Sequence, residues 1–81
     1  MNHRPLSNIA HDIRRDMRDS DNWQKKYYAA MPYLNAMLEL DQITDKYMFD
    51  SAKSIVTYFL SNAGQWKGPV AKTLKAELKA L

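Results

Sequence analysis

Residues 59–72 read FLSNAGQWKGPVAK and hold both glycines of the chain, one of its two tryptophans and one of its three prolines. An apolar helical pattern stops at Gly64, and a basic one begins at Pro69. Gly is the usual residue just past a helix end, because it takes the left-handed conformation without steric cost, and Pro suits the first helical position. The stretch therefore reads as a helix-to-helix corner. Asn62 helps to satisfy its backbone. Trp66 lies beneath it, with the indole N–H expected on a backbone carbonyl. Lys67 points outward.

Working back from the corner, Ala52, Ile55, Val56, Phe59, Leu60 and Ala63 line one side of a helix over about residues 50–63, and Asp50 is the expected N-cap. Asp50, Ser54, Thr57 and Ser61 line the opposite side. Working forward, Val70, Ala71, Leu74, Leu78 and Leu81 face inward on a helix over residues 69–81, with Lys72, Lys75 and Lys79 facing out.

Two more helices complete the reading. After Pro5, Leu6, Ile9, Ala10, Ile13 and Met17 recur at helical spacing, predicting a helix over about residues 7–18 that Ser7 caps. Pro32 opens a helix expected to reach about residue 46, with Leu34, Met37, Leu38, Leu40 and Ile43 on its apolar face. Its outer side, with Glu39, Asp41 and Asp45, is acidic. Residues 20–31, SDNWQKKYYAAM, read as loop or a short helical turn, and YMFD at 47–50 as a short link. No run of alternating β-branched residues predicts a strand. The expectation is an all-α protein, a compact bundle of four main helices in one domain over residues 1–81.

Composition narrows the functional classes. Among 81 residues there is no cysteine, which removes disulfides, thiolate zinc sites and thiol nucleophiles. No apolar run approaches the ~20 residues that span a bilayer, and MNHRPLSNIAHDIRRD carries no signal-peptide core. The net charge of +3 permits nucleic-acid contact without demanding it. His3 and His11 are the only histidines, and neither lies in a nucleophile motif. His11 beside Asp12 reads as a solvated helix residue. Asp41 and Asp45, one turn apart, read as a solvated face rather than as carboxylates set across a cleft. DMRDSDN at 16–22 lacks the Gly and closing Glu of a calcium loop. Two glycines cannot build a phosphate loop. No catalytic residue, metal or cofactor is expected.

Binding is the better-supported class. Nine aromatic residues and five methionines exceed what a small core can hide. Trp23, Tyr27, Tyr28 and Met31 cluster in the unassigned segment, and Tyr47, Met48 and Phe49 in the link. Exposed aromatic residues with Met and Arg are common at interface centres. The expected protein-contact set is Trp23, Tyr27, Tyr47, Met48 and Phe49, with Arg14, Arg15 and Arg18 at the rim. The plainer alternative folds these aromatics over the bundle. A second alternative is DNA or RNA binding through Lys67, Lys72, Lys75 and Lys79, the last two helices forming a helix-turn-helix. The acidic and basic helix faces either pair with each other, orient self-association as a homo-oligomer, or steer a charged partner.

DSAKSIVTYFLSNAGQWKGPVAKTLKAEL at 50–78 resembles a pattern of small uncharacterised proteins of bacteriophages and mobile elements. Ser51 to Ser54, Val56, Tyr58 to Ala63, Trp66, Gly68, Ala71, Lys72, Lys75, Glu77 and Leu78 carry the resemblance. PYLNAML at 32–38 is similar too, whereas the segment up to Lys26 does not match. The resemblance implies a viral or mobile-element origin and brings no activity, cofactor or established site residue. Small viral proteins of this kind, such as anti-CRISPR inhibitors of bacterial defence, often work by occupying a host protein's surface. That association implies a cytoplasmic location in a bacterial host and a host or viral protein as partner.

Overall fold

The computed structural model describes residues 4–81, so His3 lies outside the described residues. The elements run α1 (Leu6–Met17), α2 (Trp23–Lys26), a 3₁₀ turn (Tyr28–Ala30), α3 (Met31–Met37), β1 (Lys46–Tyr47), β2 (Asp50–Ser51), α4 (Ala52–Asn62) and α5 (Pro69–Lys79). The protein is mostly α, a small helical bundle with one two-stranded antiparallel ribbon. α3 packs on α4, and α1 packs on both α5 and α3. The radius of gyration is 11.7 Å, matching the scaling for a compact chain of this length, about 12 Å.

The apolar stripes explain this packing. Leu6, Ile9, Ala10, Ile13 and Met17 of α1 are all fully buried. They join Leu34 and Met37 of α3, Ala52, Ile55, Val56 and Phe59 of α4, and Ala71, Leu74 and Leu78 of α5 in one core. Leu60, Leu38, Ile43 and Leu81 pack against it partly buried. Val70, expected to face inward, is exposed at the start of α5.

Antiparallel packing of α1 and α5 is fixed at both ends. Before α1, the Arg4 guanidinium donates through Nε and Nη2 to both Glu77 carboxylate oxygens, each at 2.8 Å, and through Nη1 to Asp12 at 2.7 Å. A side-on Arg–carboxylate pair of this kind is more directional than a single contact. The Arg4 hydrogen bond holds the Asp12 carboxyl below its usual range, and these carboxylates in turn raise the Arg4 pKa. At the other end, Trp66 reaches Asp16 near the end of α1.

Several local expectations are corrected. The second long helix stops at Met37 rather than near residue 46. Beyond it, Glu39 and Leu40 make tight turns onto the carbonyls of Ala36 and Met37. Asp45 then accepts from the backbone N–H of Asp41 and of Gln42, at 3.2 and 3.0 Å. An aspartate that bonds nearby backbone in this way competes directly with the helical ladder. Asp41 and Asp45 therefore build a turn instead of an acidic helix face.

From that turn the chain enters the ribbon, pairing Lys46 with Ser51 and Tyr47 with Asp50. Asp50 belongs to β2, so the N-cap of α4 is Ser51, whose hydroxyl accepts from the Ser54 N–H at 3.1 Å. Ser7 caps nothing. α1 begins after extended Pro5, because the Leu6 N–H already donates to the Asp41 carbonyl at 2.7 Å, and Ser7 Oγ donates to the Asp41 carboxylate.

The corner at 63–69 is also built differently. Gly64 does not take a positive φ; Gly68 does, at 117°, as N-cap of α5 with Pro69 following. In the last turn of α4, side chains bond back to carbonyls one turn earlier. Asn62 Nδ2 donates to the Tyr58 carbonyl at 2.8 Å, and Ser61 Oγ to that of Thr57 at 3.0 Å.

These caps make a discriminating prediction. Ser51→Ala lowers unfolding free energy by about 1 kcal/mol, the usual loss of an N-cap acceptor. Asp50→Ala, at an exposed position, and Ser7→Ala, which loses only a long, solvent-facing bond to the Asp41 carboxylate, each change it by less than about 0.5 kcal/mol. Urea denaturation of the three variants checks the order.

Candidate interaction surfaces

A two-residue loop, Met48–Phe49, joins β1 to β2. Such loops normally carry Gly, Asn or Asp where φ is positive, because a side chain there clashes with its own backbone. Here Met48 has φ 58°. A bulky residue in this region costs on the order of 1–3 kcal/mol and is retained where the surrounding structure imposes it. Both loop side chains point into solvent, Met48 at 83% and Phe49 at 102% relative exposure. Tyr47, one residue earlier, is partly buried against the core, and its phenol faces the Glu39 carboxylate, which raises its pKa. The ribbon thus has a seated base and a fully exposed apolar tip.

The other expected anchors lie elsewhere. Tyr27 is buried to 6% exposure, with its hydroxyl 3.5 Å from Ser20 Oγ and the Lys26 ammonium 5.3 Å from its ring centre. Trp23 packs partly buried against the core. These two follow the plainer alternative and serve the fold. Arg14 is partly buried, whereas Arg15 and Arg18 are exposed. Arg15 pairs with Asp12 at 3.3 Å. Arg14 and Arg15 occupy the last turn of α1 and Arg18 caps its end, while the loop before the ribbon is tied to the helix's first residue through Leu6 and Asp41.

Of the four lysines considered for nucleic acid, Lys67, Lys72 and Lys79 are exposed. Lys75 is committed to the corner. Its ammonium donates to the carbonyls of Ala63 at 2.9 Å and Trp66 at 2.7 Å, and stands 5.6 Å from the Trp66 ring centre. Burial, together with Lys79 and Lys67 nearby, lowers its pKa. The Trp66 ring is 1% exposed and meets Phe59 edge-to-face at 6.1 Å. Its indole N–H donates to Asp16 Oδ2 at 2.8 Å, not to a backbone carbonyl. A carboxylate one element away is a stronger acceptor than a nearby carbonyl, and the sequence offered no signal for it.

Of the three readings of the acidic and basic faces, pairing with each other does not occur among the described residues. The ion pairs among the described residues join Arg4 to Asp12 and Glu77, and Arg15 to Asp12, so no lysine takes part.

Two open grooves were not legible in the sequence. One, of about 450 Å³, runs between α1 and the start of α5, with Asp12, Asp16 and Asp19 on one wall and Pro69, Val70 and Leu74 on the other. Two of those carboxylates are already engaged, by Arg4 and by Trp66. The second, of about 460 Å³, lies between the α2–3₁₀ segment and the end of α4. Among the described residues no cluster of three or more His, Asp or Glu side chains is placed to hold a metal ion, and no helix is long and apolar enough to cross a membrane.

Comparison with protein-family models, with curated proteins and with solved structures gives no match. The surfaces are therefore read from their own chemistry.

Lys75 provides the test of the corner. Lys75→Met keeps the apolar stem and removes the donor, leaving the Trp66 carbonyl unpaired and the Ala63 carbonyl with the Trp66 N–H alone, and should cost about 1–3 kcal/mol. Lys72→Met on the same helix should cost under about 0.5 kcal/mol. Thermal unfolding of the two variants distinguishes a structural lysine from a solvated one.

Proposed function

We propose that this chain is a non-catalytic binding protein that occupies the surface of another protein, acting as a stoichiometric inhibitor or modulator. The observation that carries this reading is the ribbon tip. Two adjacent large apolar side chains stand wholly in solvent on a loop whose first residue holds a strained backbone. Burying a Met and a Phe contributes about 1.5–3 kcal/mol each, so exposing both forfeits that gain unless a partner supplies it. A tight, paired ribbon also presents its tip with little conformational entropy left to lose on binding.

The sequence resemblance to bacteriophage proteins supports a host protein as the target, a bacterial defence system such as CRISPR-Cas being one example, and a site of action in the host cytoplasm. Met48 and Phe49 are the anchors, and Tyr47 holds them in place. Arg14, Arg15 and Arg18 form a separate charged surface available to a large partner. The reading of α5 as a nucleic-acid strip is weakened by the commitment of Lys75 to the corner.

Stability and binding should move in opposite directions at this tip. Met48→Gly relieves the positive φ and raises unfolding free energy by about 1 kcal/mol. Combined with Phe49→Ala, it should abolish capture of the partner from host lysate. Retention of the same partner by the double variant contradicts the assignment, as does a marked loss of stability.

A further inference from the structure

The second groove carries a surface that neither the ribbon nor the corner uses. Lys25 and Lys26 form one rim, and Tyr28, Asn62 and Gln65 line the rest, with no carboxylate in the lining. Neither ammonium has a carboxylate or carbonyl partner among the described residues, although Lys26 lies over the Tyr27 ring. Tyr28 is 74% exposed. Asn62 spends its N–H on the Tyr58 carbonyl, which leaves its amide oxygen open as an acceptor, and Gln65 offers a whole amide. One helical turn back along α4 from Asn62, Tyr58 is half exposed and packs against Tyr33 with ring centres 5.7 Å apart.

We infer that this groove binds single-stranded nucleic acid, with Tyr28 stacking an unpaired base and Lys25 and Lys26 neutralising the flanking phosphates. Exposed aromatic faces beside a basic groove are how sequence-tolerant single-strand binding is built, since every base has a face to stack. The open amides of Asn62 and Gln65 match the donor and acceptor edges of an extruded base. A duplex keeps its bases stacked inside and cannot offer a face to Tyr28. An acidic peptide would satisfy the lysines but leave the exposed Tyr28 face and the amides without a matching group. The site is distinct from the lysine strip of α5 and does not depend on the ribbon reading.

The test is fluorescence anisotropy with labelled oligo-dT and oligo-U of about 12 nucleotides, and a duplex of equal length, at about 50 and 200 mM salt. The protein should bind one or both single strands, more weakly at the higher salt, and bind them more tightly than the duplex. Whichever single strand binds better identifies the sugar. Tyr28→Ala, whose ring is too exposed to support the fold, should weaken binding by roughly 5- to 100-fold. Lys25→Gln with Lys26→Gln should weaken it and reduce the log–log salt slope by about 1.4. Lys72→Gln with Lys79→Gln should have the smaller effect. The inference is overturned by no binding at low salt, by equal or tighter duplex binding, by an inert Tyr28→Ala, or by a larger loss from the α5 lysines. Absence of oligonucleotide binding combined with loss of a protein partner in Tyr28→Ala would reassign the groove to protein contact and also overturn it.

Discussion

Everything in this fold leans on one buried tryptophan. The Trp66 ring is enclosed where α4 ends and α5 begins, its edge contact is Phe59, and its only polar atom reaches across to Asp16 of α1. Three helices are tied by one side chain, and the corner that carries it is closed by Lys75 from above. A chain of this size buries only about 60% of the surface its unfolded form exposes. Isolated helices of 11 or 12 residues are marginal in water. Holding α1 and α5 in register at both ends, by Trp66–Asp16 and by Arg4–Glu77, is what lets their apolar stripes act together.

How far the sequence disclosed this follows from the range of each interaction. The apolar faces of α1 and α4 were legible almost residue by residue, because helical periodicity is a local signal and each stripe meets the same core. The ribbon was not. Its strands are two residues each, too short for alternation to register, and the turn that feeds it depends on the Asp45 carboxylate bonding back to Asp41 and Gln42. The apolar positions Leu38, Leu40 and Ile43 continued a helical spacing that the backbone abandoned. Gly64 misled for a related reason: helix ends favour glycine on average, but here the positive φ falls at Gly68, and Lys75 reaches over to the Ala63 carbonyl.

The candidate surfaces split along the same line. Met48 and Phe49 were identified as a contact pair from composition, and the structure sets both in solvent, while Trp23 and Tyr27 from the same reading belong to the fold. The grooves needed three dimensions, since Lys25 and Tyr28 meet Asn62 and Gln65 only because the 3₁₀ turn packs against α4. Lysine charge is also redistributed by folding. One of the four suspected contact lysines, Lys75, bonds the carbonyl that follows α4, and two lysines outside that set, Lys25 and Lys26 of α2, border a groove. The stabilising work is concentrated in the corner and core, which leaves Met48 and Phe49 of the ribbon tip and Tyr28 of the α2–α4 groove exposed.

Hydrogen exchange of the two tryptophan indole protons, followed by two-dimensional NMR, tests the corner most directly. Both report from the same sample, and Trp23 serves as a partly buried reference without a hydrogen-bond partner among the described residues. If Trp66 ties α1, α4 and α5 together, its indole proton exchanges only through global unfolding, at the rate of the slowest core amides of α1, while that of Trp23 exchanges through local fluctuation and far faster. A Trp66 indole proton that exchanges as quickly as that of Trp23 would contradict the account.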